Sequence, residues 1–164
     1  MKYTTFFRSW NVFSNWYECE FSDGEIIYNC VEQYMMYKKA CVFEDDIITH
    51  KILNTPYNPK LYKQLGRKVK NFNNKIWEDN REEIVYNACW FKFTKNKDLL
   101  EKLLNTKGTK LVEASPYDRI WGCGLSEKDL RINDESKWLG KNLLGNILTK
   151  LRDDLIRKES ENES

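Results

Sequence analysis

The chain of 164 residues contains a single histidine, and none of its 5 cysteines forms a Cys-x-x-Cys pair. Protein zinc sites are built from closely spaced cysteines and histidines, so a zinc site is not expected. An odd number of unpaired cysteines favours reduced thiols over a disulfide framework. We therefore expect no bound metal, and we assign the cysteines to packing.

An excess of one charge is also missing, because 27 basic and 25 acidic residues leave a net charge of +2. A chain so close to neutral has no strong field with which to hold nucleic acid in bulk. The sequence has no apolar run of about 20 residues, so no membrane span is expected. It also shows no secretory signal, and we expect a cytoplasmic, intracellular protein with reduced thiols.

Apolar and aromatic residues are plentiful, at 41% and 14% of the chain. This composition excludes intrinsic disorder and provides flat side chains for the walls of a ligand pocket. No internal repeat or linker interrupts the pattern, and the length suits one domain with a sizeable core. We predict a single compact domain over residues 1–157, followed by a polar, disordered tail at 158–164.

Helical patterns dominate, with a few short strand signals between them. Strands are predicted at residues 3–7, 17–21, 25–28 and 110–114, the middle two joined by an Asp-Gly hairpin turn. Helices are predicted after Asn29, as its N-cap, and at residues 45–53, 59–66, 76–94, 98–104 and 142–156. The sequence therefore predicts a mostly helical α+β fold with a small β-sheet.

One helix places two chemically useful groups on the same face. Glu32 and Lys39 recur at helical spacing with Met36 and Phe43, and seven residues separate them. They would lie about 10.5 Å apart along the helix, too far for an ion pair but suited to one small ligand between them. A carboxylate there can move protons or stabilise an oxocarbenium ion, and a desolvated lysine can attack C1 of a ribose. The alternative is an ordinary surface helix with scattered charges.

A second candidate stretch follows the last predicted strand. Asp118 is suited to hold a ribose hydroxyl or to orient a water, and Trp121 is suited to stack on a base. Gly122 and Gly124 flank one residue, and backbone N–H groups between glycines suit a phosphate. The alternative is a turn whose Trp fills the core and whose Asp caps a neighbouring group.

Two more positions have both a functional and a structural interpretation. Trp77, near the start of the longest helix, is either an aromatic wall of the pocket or part of the core. Asn142 precedes the last helix, and helix N-termini bind anions, but it is equally suited to be only the N-cap.

Taken in order, these stretches resemble the NADAR family over roughly residues 5–155. The elements are Phe13-Ser14-Asn15, Glu32 with Lys39, Trp77, Lys92-Phe93, Leu111-Val112-Glu113, Asp118 with Trp121-Gly122-Cys123-Gly124, and Gly140-Lys141-Asn142-Leu143-Leu144-Gly145. Each short element is weak alone, whereas the ordered set is specific. The resemblance implies the same compact, mostly helical α+β fold.

The resemblance also implies an N-glycosidase that acts on a ribosylated nitrogen compound without metal or cofactor. Its substrate would be either ADP-ribose on guanine in nucleic acid or a phosphoribosyl intermediate of riboflavin biosynthesis. The implied catalytic residues are Glu32, Lys39 and Asp118, and the implied substrate-binding residues are Ser14, Asn15, Trp77, Trp121, Gly122, Gly124 and Asn142. The alternative function is a non-catalytic module that binds ADP-ribose or a related nucleotide.

Two departures from the family pattern bear on the chemistry. Many members have a histidine where this chain has Gln33. An amide does not titrate, so Gln33 favours either Glu32 as the acid–base group or a histidine that only makes hydrogen bonds. The run Met35-Met36-Tyr37-Lys38 is less polar than usual, which predicts an altered pocket floor and with it an altered substrate.

Overall fold

A computed structural model describes residues 2–163, so Met1 of the predicted domain and Ser164 of the predicted tail lie outside the described residues. Residues 2–163 contain six α-helices, four short strands and two short 3-10 helices. This is the mostly helical α+β fold with a small sheet that the sequence predicts. The internal contacts define two compact units, Asn15–Asn96 and the segment through Ser14 together with the chain from Lys97 onwards. The single domain over residues 1–157 stays a prediction.

The elements follow one another with short connections. In chain order they are β1 (Tyr3–Phe6), β2 (Phe21–Ser22), β3 (Ile27–Tyr28), α1 (Val31–Val42), α2 (Asp46–Leu53), α3 (Pro59–Gly66), α4 (Asn74–Thr94), α5 (Lys97–Leu104), β4 (Lys110–Glu113) and α6 (Leu143–Glu163). The 3-10 helices, at Leu130–Asn133 and Glu135–Lys137, fall in the connection before α6, where the sequence indicates a loop. Among the described residues, no helix is both long and apolar enough to cross a membrane.

In the unit Asn15–Asn96, α1 packs against α2, α3 and α4. Helices α1 and α4 are antiparallel, because Lys39 near the end of α1 contacts Trp77 near the start of α4. A second contact agrees with this direction: Tyr34, early in α1, lies against Phe91, near the end of α4, with 6.4 Å between the ring centroids. The helix α1 is therefore the central element of this unit.

Helix α3 forms where short-range signals predict it. The Asn58 side chain accepts a hydrogen bond from the Leu61 N–H at 3.1 Å, and Pro59 occupies the first turn. The helix ends at Gly66. A Cβ at Gly66 would overlap Met36 Sδ, so a larger residue at this position would require the Met36 side chain of α1 to move.

The start of α1 differs from the prediction. The N-cap position is held by Cys30, whose side chain makes no capping hydrogen bond, so Asn29 as the N-cap is wrong. Instead, the Asn29 N–H donates to Gln33 Oε1 at 2.9 Å, and Asn29 Nδ2 donates to Tyr62 Oη at 2.8 Å. A residue inside the helix and a residue of α3 therefore hold the chain that leads into α1.

The other unit is organised around a parallel strand pair. Strand β1 pairs with β4, with Tyr3 opposite Lys110 and Phe6 opposite Glu113, and α6 packs against β4. Its core cluster consists of Val112, Ala114, Cys123, Leu125 and Ile132, flanked by Tyr3, Phe7 and Trp138. The sequence shows both strands but gives no sign that they pair.

Helix α6 is longer than its sequence pattern indicates. It continues to Glu163 rather than ending near Ile156, so residues 158–163, expected as a disordered tail, are helical. Arg157 Nη2 lies 3.3 Å from Asp154 Oδ1, and Arg157 Nε lies 4.0 Å from Glu161 Oε1. Ion pairs at these helical spacings stabilise an exposed helix by about 0.2–0.5 kcal/mol each, which an analysis of apolar periodicity does not register.

Candidate functional site

The face of α1 that carries Glu32 and Lys39 is buried within the protein. Glu32 is only 5% exposed, Met36 and Phe43 are buried with it, and Lys39 is half-buried. The alternative of a surface helix with scattered charges is therefore excluded. The Glu32 N–H donates to the backbone carbonyl of Asn15 at 2.9 Å, so these two predicted site residues are neighbours.

Lys39 lies among aromatic side chains and away from bulk water. Its Nζ is 4.7 Å from the ring centroid of Phe72 and 5.6 Å from that of Trp77. Burial lowers the pKa of Lys39, while the charge of Glu32 acts in the opposite direction and that of Arg67 lowers it further. A lowered pKa increases the fraction of unprotonated amine near neutral pH, which is the nucleophilic form.

Asn15 presents a buried acceptor that no donor reaches. The side chain is 7% exposed, and within residues 2–163 its Oδ1 has no hydrogen-bond partner. Leaving such a group unpaired costs about 1–3 kcal/mol. A ligand hydroxyl or N–H beside Glu32 would remove that cost.

Gln33 uses its amide entirely on the backbone of its own unit. Its Oε1 accepts the Asn29 N–H, and its Nε2 donates to the Ile52 carbonyl at 3.2 Å. A histidine can make the same two bonds, because one ring nitrogen accepts while the other donates. Hydrogen bonding to the backbone is therefore the role of Gln33 in this structure.

A second buried lysine lies at the other end of α4. Lys92 is 1% exposed, and its Nζ is 5.6 Å from the ring centroid of Tyr17. Burial lowers the pKa of Lys92, and the thiols of Cys19, Cys89 and Cys30 act in the opposite direction. Because Cys30 immediately precedes α1, Lys92 lies near the start of α1, whereas Trp77 lies near its end.

The late motif belongs to the unit built around β1 and β4. Asp118 Oδ1 accepts the N–H groups of Ile120 and Trp121, both at 2.9 Å, which closes a tight turn. This is the capping role that the sequence left open for Asp118. Trp121 is partly buried. A catalytic role for Asp118 and base stacking on Trp121 stay predictions.

Close backbone packing accounts for the glycines of the same turn. A Cβ on Gly122 would lie 2.8 Å from the Asp118 carbonyl oxygen. Gly124 has φ +77°, and its Cβ would lie 3.0 Å from the Gly140 nitrogen. Backbone packing alone accounts for glycine at both positions, and their contact with a phosphate stays a prediction.

Asn142 has a structural role, and its substrate contact stays a prediction. It is 0% exposed, with φ +53°. Its Oδ1 accepts the Glu113 N–H at 2.9 Å, and its Nδ2 donates to the Leu111 carbonyl at 3.0 Å. The side chain therefore joins β4 to the start of α6. Ser14, the remaining predicted residue of this unit, is buried, and its N–H donates to the Asn11 carbonyl at 3.0 Å.

Arg81 is a buried residue of α4 that the sequence analysis does not select. It lies one helical turn after Trp77 and is 7% exposed, and its Nε is buried without a hydrogen-bond partner among residues 2–163. The available signal is a charged residue on an apolar stripe. In the described part of the chain, no three His, Cys, Asp or Glu side chains are grouped to hold a metal ion.

Comparison with known proteins identifies similar chains along the whole length. The family model described as "NADAR domain" matches residues 5–156. "N-glycosidase R617" of Acanthamoeba polyphaga mimivirus is 42% identical over 149 residues, covering 88% of this chain and 87% of that protein. "Protein irg-1" of Caenorhabditis elegans is 38% identical over 173 residues, covering 96% of this chain and 81% of that protein. The NMR structure of the E. coli protein YbiA superposes with a TM-score of 0.80 at 26% identity, covering 98% of this chain and 88% of that one.

Proposed function

This chain belongs to the NADAR family and is an N-glycosidase, and we propose that Lys39 is its covalent nucleophile and Glu32 its acid–base group. The observation that carries the proposal is the environment of Lys39. The amine is half-buried against Phe72 and Trp77, and burial lowers its pKa. It also shares a helix face with a carboxyl group that is 5% exposed.

The proposed cycle consumes only water. The unprotonated Lys39 amine attacks C1 of the ribose, and the C1–N bond breaks with its electron pair leaving on the base or amine, which takes a proton from Glu32. The ribose ring then opens, the ring oxygen takes the proton that the lysine nitrogen loses, and C1 is held to Lys39 as an imine. Glu32 deprotonates a water that adds to the imine. Loss of the lysine amine releases the sugar and restores both groups.

The other residues of the proposed site bind and orient the substrate. Asn15 Oδ1, which has no donor within residues 2–163, accepts a ribose hydroxyl, and Trp77 forms an aromatic wall. Contacts with the substrate are also proposed for Ser14, Asp118 and Trp121, and only the family resemblance supports them.

The choice between the two substrate classes turns on an exposed basic cluster. Lys63, Arg67, Lys68 and Lys70 are all exposed on α3 and the connection after it. The charge of Arg67 acts on the pKa of Lys39, so the cluster lies at the Lys39 end of α1. Phosphate backbones bind such clusters, and this supports ADP-ribosylated guanine in nucleic acid as the substrate. We place this activity inside the cell, since all five cysteines are free thiols.

The test measures product release by mass spectrometry from two substrates, ADP-ribosylated guanine DNA and a phosphoribosylated aminopyrimidine. Wild type is compared with Lys39→Ala and with the matched control Lys38→Ala. Lys38 is the adjacent lysine, and its Nζ also lies over aromatic rings, 5.5 Å from Tyr34 and 5.7 Å from Tyr37. We expect Lys39→Ala to lose turnover by at least about 10³-fold, and Lys38→Ala to stay within a few-fold of wild type.

Trapping with borohydride tests the covalent step directly. Reduction during turnover should leave a stable sugar adduct on Lys39, located by peptide mass. Wild-type turnover by Lys39→Ala, or trapping without an adduct, would contradict the nucleophile assignment. Tight nucleotide binding that survives Lys39→Ala, with no product from any variant, would favour the non-catalytic binding module.

A further inference from the structure

The mechanism above makes no use of the arginine buried on α4. Arg81 is 7% exposed, and the Nε of its guanidinium is buried without a hydrogen-bond partner among residues 2–163. A charged group is almost never buried unless it is paired, because losing water without gaining an acceptor is unfavourable. Arg81 therefore needs an acceptor.

A different buried arginine of the same chain is hydrogen-bonded by acceptors of the protein itself. Arg152 of α6 is 2% exposed, and its Nη1 donates to the Thr106 carbonyl at 2.8 Å and to the Thr106 hydroxyl at 3.0 Å. Its Nε donates to Asp153 Oδ1 at 2.9 Å. Arg81 has no such set of acceptors in the described chain, which indicates that its acceptor comes from a ligand.

The position of Arg81 follows from the antiparallel packing of α1 and α4. Trp77 contacts Lys39 near the end of α1, whereas Lys92 lies near the start of α1. Arg81 is four residues beyond Trp77 on the stripe that faces α1, about 6 Å along the helix axis. It therefore lies beside the interval between Lys39 and Glu32, on the Lys39 side.

We infer that Arg81 binds the 5′-phosphate of the ribosyl substrate, which makes a phosphate a required part of that substrate. The inference rests on the proposed function, since it takes Lys39 as the group at C1. A ribose separates its C1 from its 5′-phosphate by one sugar ring, which matches one turn of α4 between Trp77 and Arg81. The planar guanidinium donates two parallel hydrogen bonds to phosphate oxygens, an acceptor geometry that it matches well.

This role explains how one pocket serves either class of substrate. An ADP-ribosyl group and a phosphoribosyl group both carry a phosphate at the 5′ position, as a diphosphate or a monophosphate. Arg81 does not choose between them but excludes ribosides without phosphate. It also takes over the phosphate contact that the sequence assigned to Gly122 and Gly124, whose packing needs no ligand.

The first arm of the test compares two N-ribosides of the same base, with and without the 5′-phosphate. Wild type should prefer the phosphorylated compound in kcat/KM by about 10- to 100-fold, as expected for a charge-assisted contact between guanidinium and phosphate. Arg81→Gln should reduce this preference to near unity, and Arg81→Lys should keep part of it. Arg131→Gln is the control for losing an exposed arginine, because Arg131 pairs with Asp129 at the surface.

The second arm measures binding without turnover. Ribose 5-phosphate and inorganic phosphate should raise the Tm of wild type and of Arg131→Gln, whereas ribose should not. Neither phosphate compound should shift the Tm of Arg81→Gln. This arm gives a result even if no riboside is cleaved, so failure of the proposed function is distinguishable from failure of the phosphate assignment.

Two results would overturn the inference. One is equal turnover by wild type of the phosphorylated and phosphate-free ribosides, which would leave the N-glycosidase proposal standing. The other is an unchanged phosphate-dependent Tm shift in Arg81→Gln. If Arg81→Gln does not fold, the wild-type comparison of the two ribosides still decides.

Discussion

Four buried polar side chains, two in each unit of the molecule, differ in whether the protein itself supplies their hydrogen-bond partners. Around β4 and α6, the side chains of Arg152 and Asn142 are hydrogen-bonded to Thr106, Leu111 and Glu113. Along α1 and α4, buried atoms of Asn15 and Arg81 have no partner among residues 2–163. Folded proteins pair nearly all buried polar groups, so the unpaired ones need an explanation of their own. We infer that the first set stabilises the fold and that the second is completed by substrate.

The largest expected effect on stability concerns Arg152, whose guanidinium is hydrogen-bonded within the protein. Arg152→Met should lower the free energy of unfolding by about 1–3 kcal/mol, because it removes the buried hydrogen bonds of the guanidinium to the Thr106 carbonyl and hydroxyl. Urea denaturation at neutral pH measures the change. Unchanged stability would show that these bonds contribute nothing, and the contrast between the two units would lose its basis.

Replacing Arg81, whose Nε has no described partner, should change the free energy of unfolding in the opposite direction. Arg81→Met should raise the free energy of unfolding by about 1 kcal/mol, because an apolar side chain replaces a buried charge without a described partner. The same denaturation experiment applies, and kcat/KM for the phosphorylated substrate should fall by about 10- to 100-fold. A destabilisation as large as that of Arg152→Met would mean that the fold, and not a ligand, requires Arg81.

Gln33 sharpens the comparison within α1, since it is a satisfied residue next to the proposed acid–base group. Gln33→His should change the free energy of unfolding by less than about 1 kcal/mol, because a histidine can replace both hydrogen bonds. Turnover should stay within a few-fold. A new limb in the pH–rate profile near the pKa of histidine would contradict a purely hydrogen-bonding role.

The smallest expected effect concerns the exposed charge that acts on Lys39. Arg67→Gln should raise the pKa of Lys39, because Arg67 lowers it by repulsion. The rising limb of the pH–rate profile should then move to higher pH by about a few tenths of a unit, and high salt should shift wild type in the same direction. A shift to lower pH would contradict the proposed arrangement.

The lowered pKa of Lys39 also predicts how the free energy of unfolding depends on pH. Between its folded and unfolded pKa values, the folded state binds fewer protons than the unfolded state. The contribution of Lys39 to stability therefore rises with pH across that window and is lost as pH falls through the folded pKa. Lys39→Met should remove this pH dependence, as measured by urea denaturation.

Local signals predicted the parts of the fold that neighbouring residues decide. Asn58, Pro59 and Gly66 bound α3 through a cap, a fixed φ and a close helix contact. The Asp-Gly hairpin forms as expected, with Asp23 Oδ1 accepting the N–H groups of two following residues and Gly24 at φ +101°. In each case the interacting groups lie within a few residues of one another, so the sequence alone contains the information.

Contacts between residues that are far apart in the sequence could not be predicted from these local signals. The sequence places strand signals at β1 and β4 but not their parallel pairing, and Asn142 looks like a helix cap because its β4 partners are about thirty residues earlier. The proposed catalytic pair could be selected from the sequence, because Glu32 and Lys39 share one helix face. Arg81 could not be selected in this way, because only the three-dimensional structure shows that its buried Nε lacks a hydrogen-bond acceptor among the described residues.

The pairing of β1 with β4 has a consequence for synthesis on the ribosome. Strand β1 ends at Phe6, and its partner begins at Lys110, about a hundred residues later. At about 5–20 residues per second, the first strand waits roughly 5–20 s for its partner to be made. The unit Asn15–Asn96 is continuous in sequence and is complete within that interval. Lys39 and Arg81 therefore belong to the part of the nascent chain that is able to fold first, and the last helix to be translated completes the other unit.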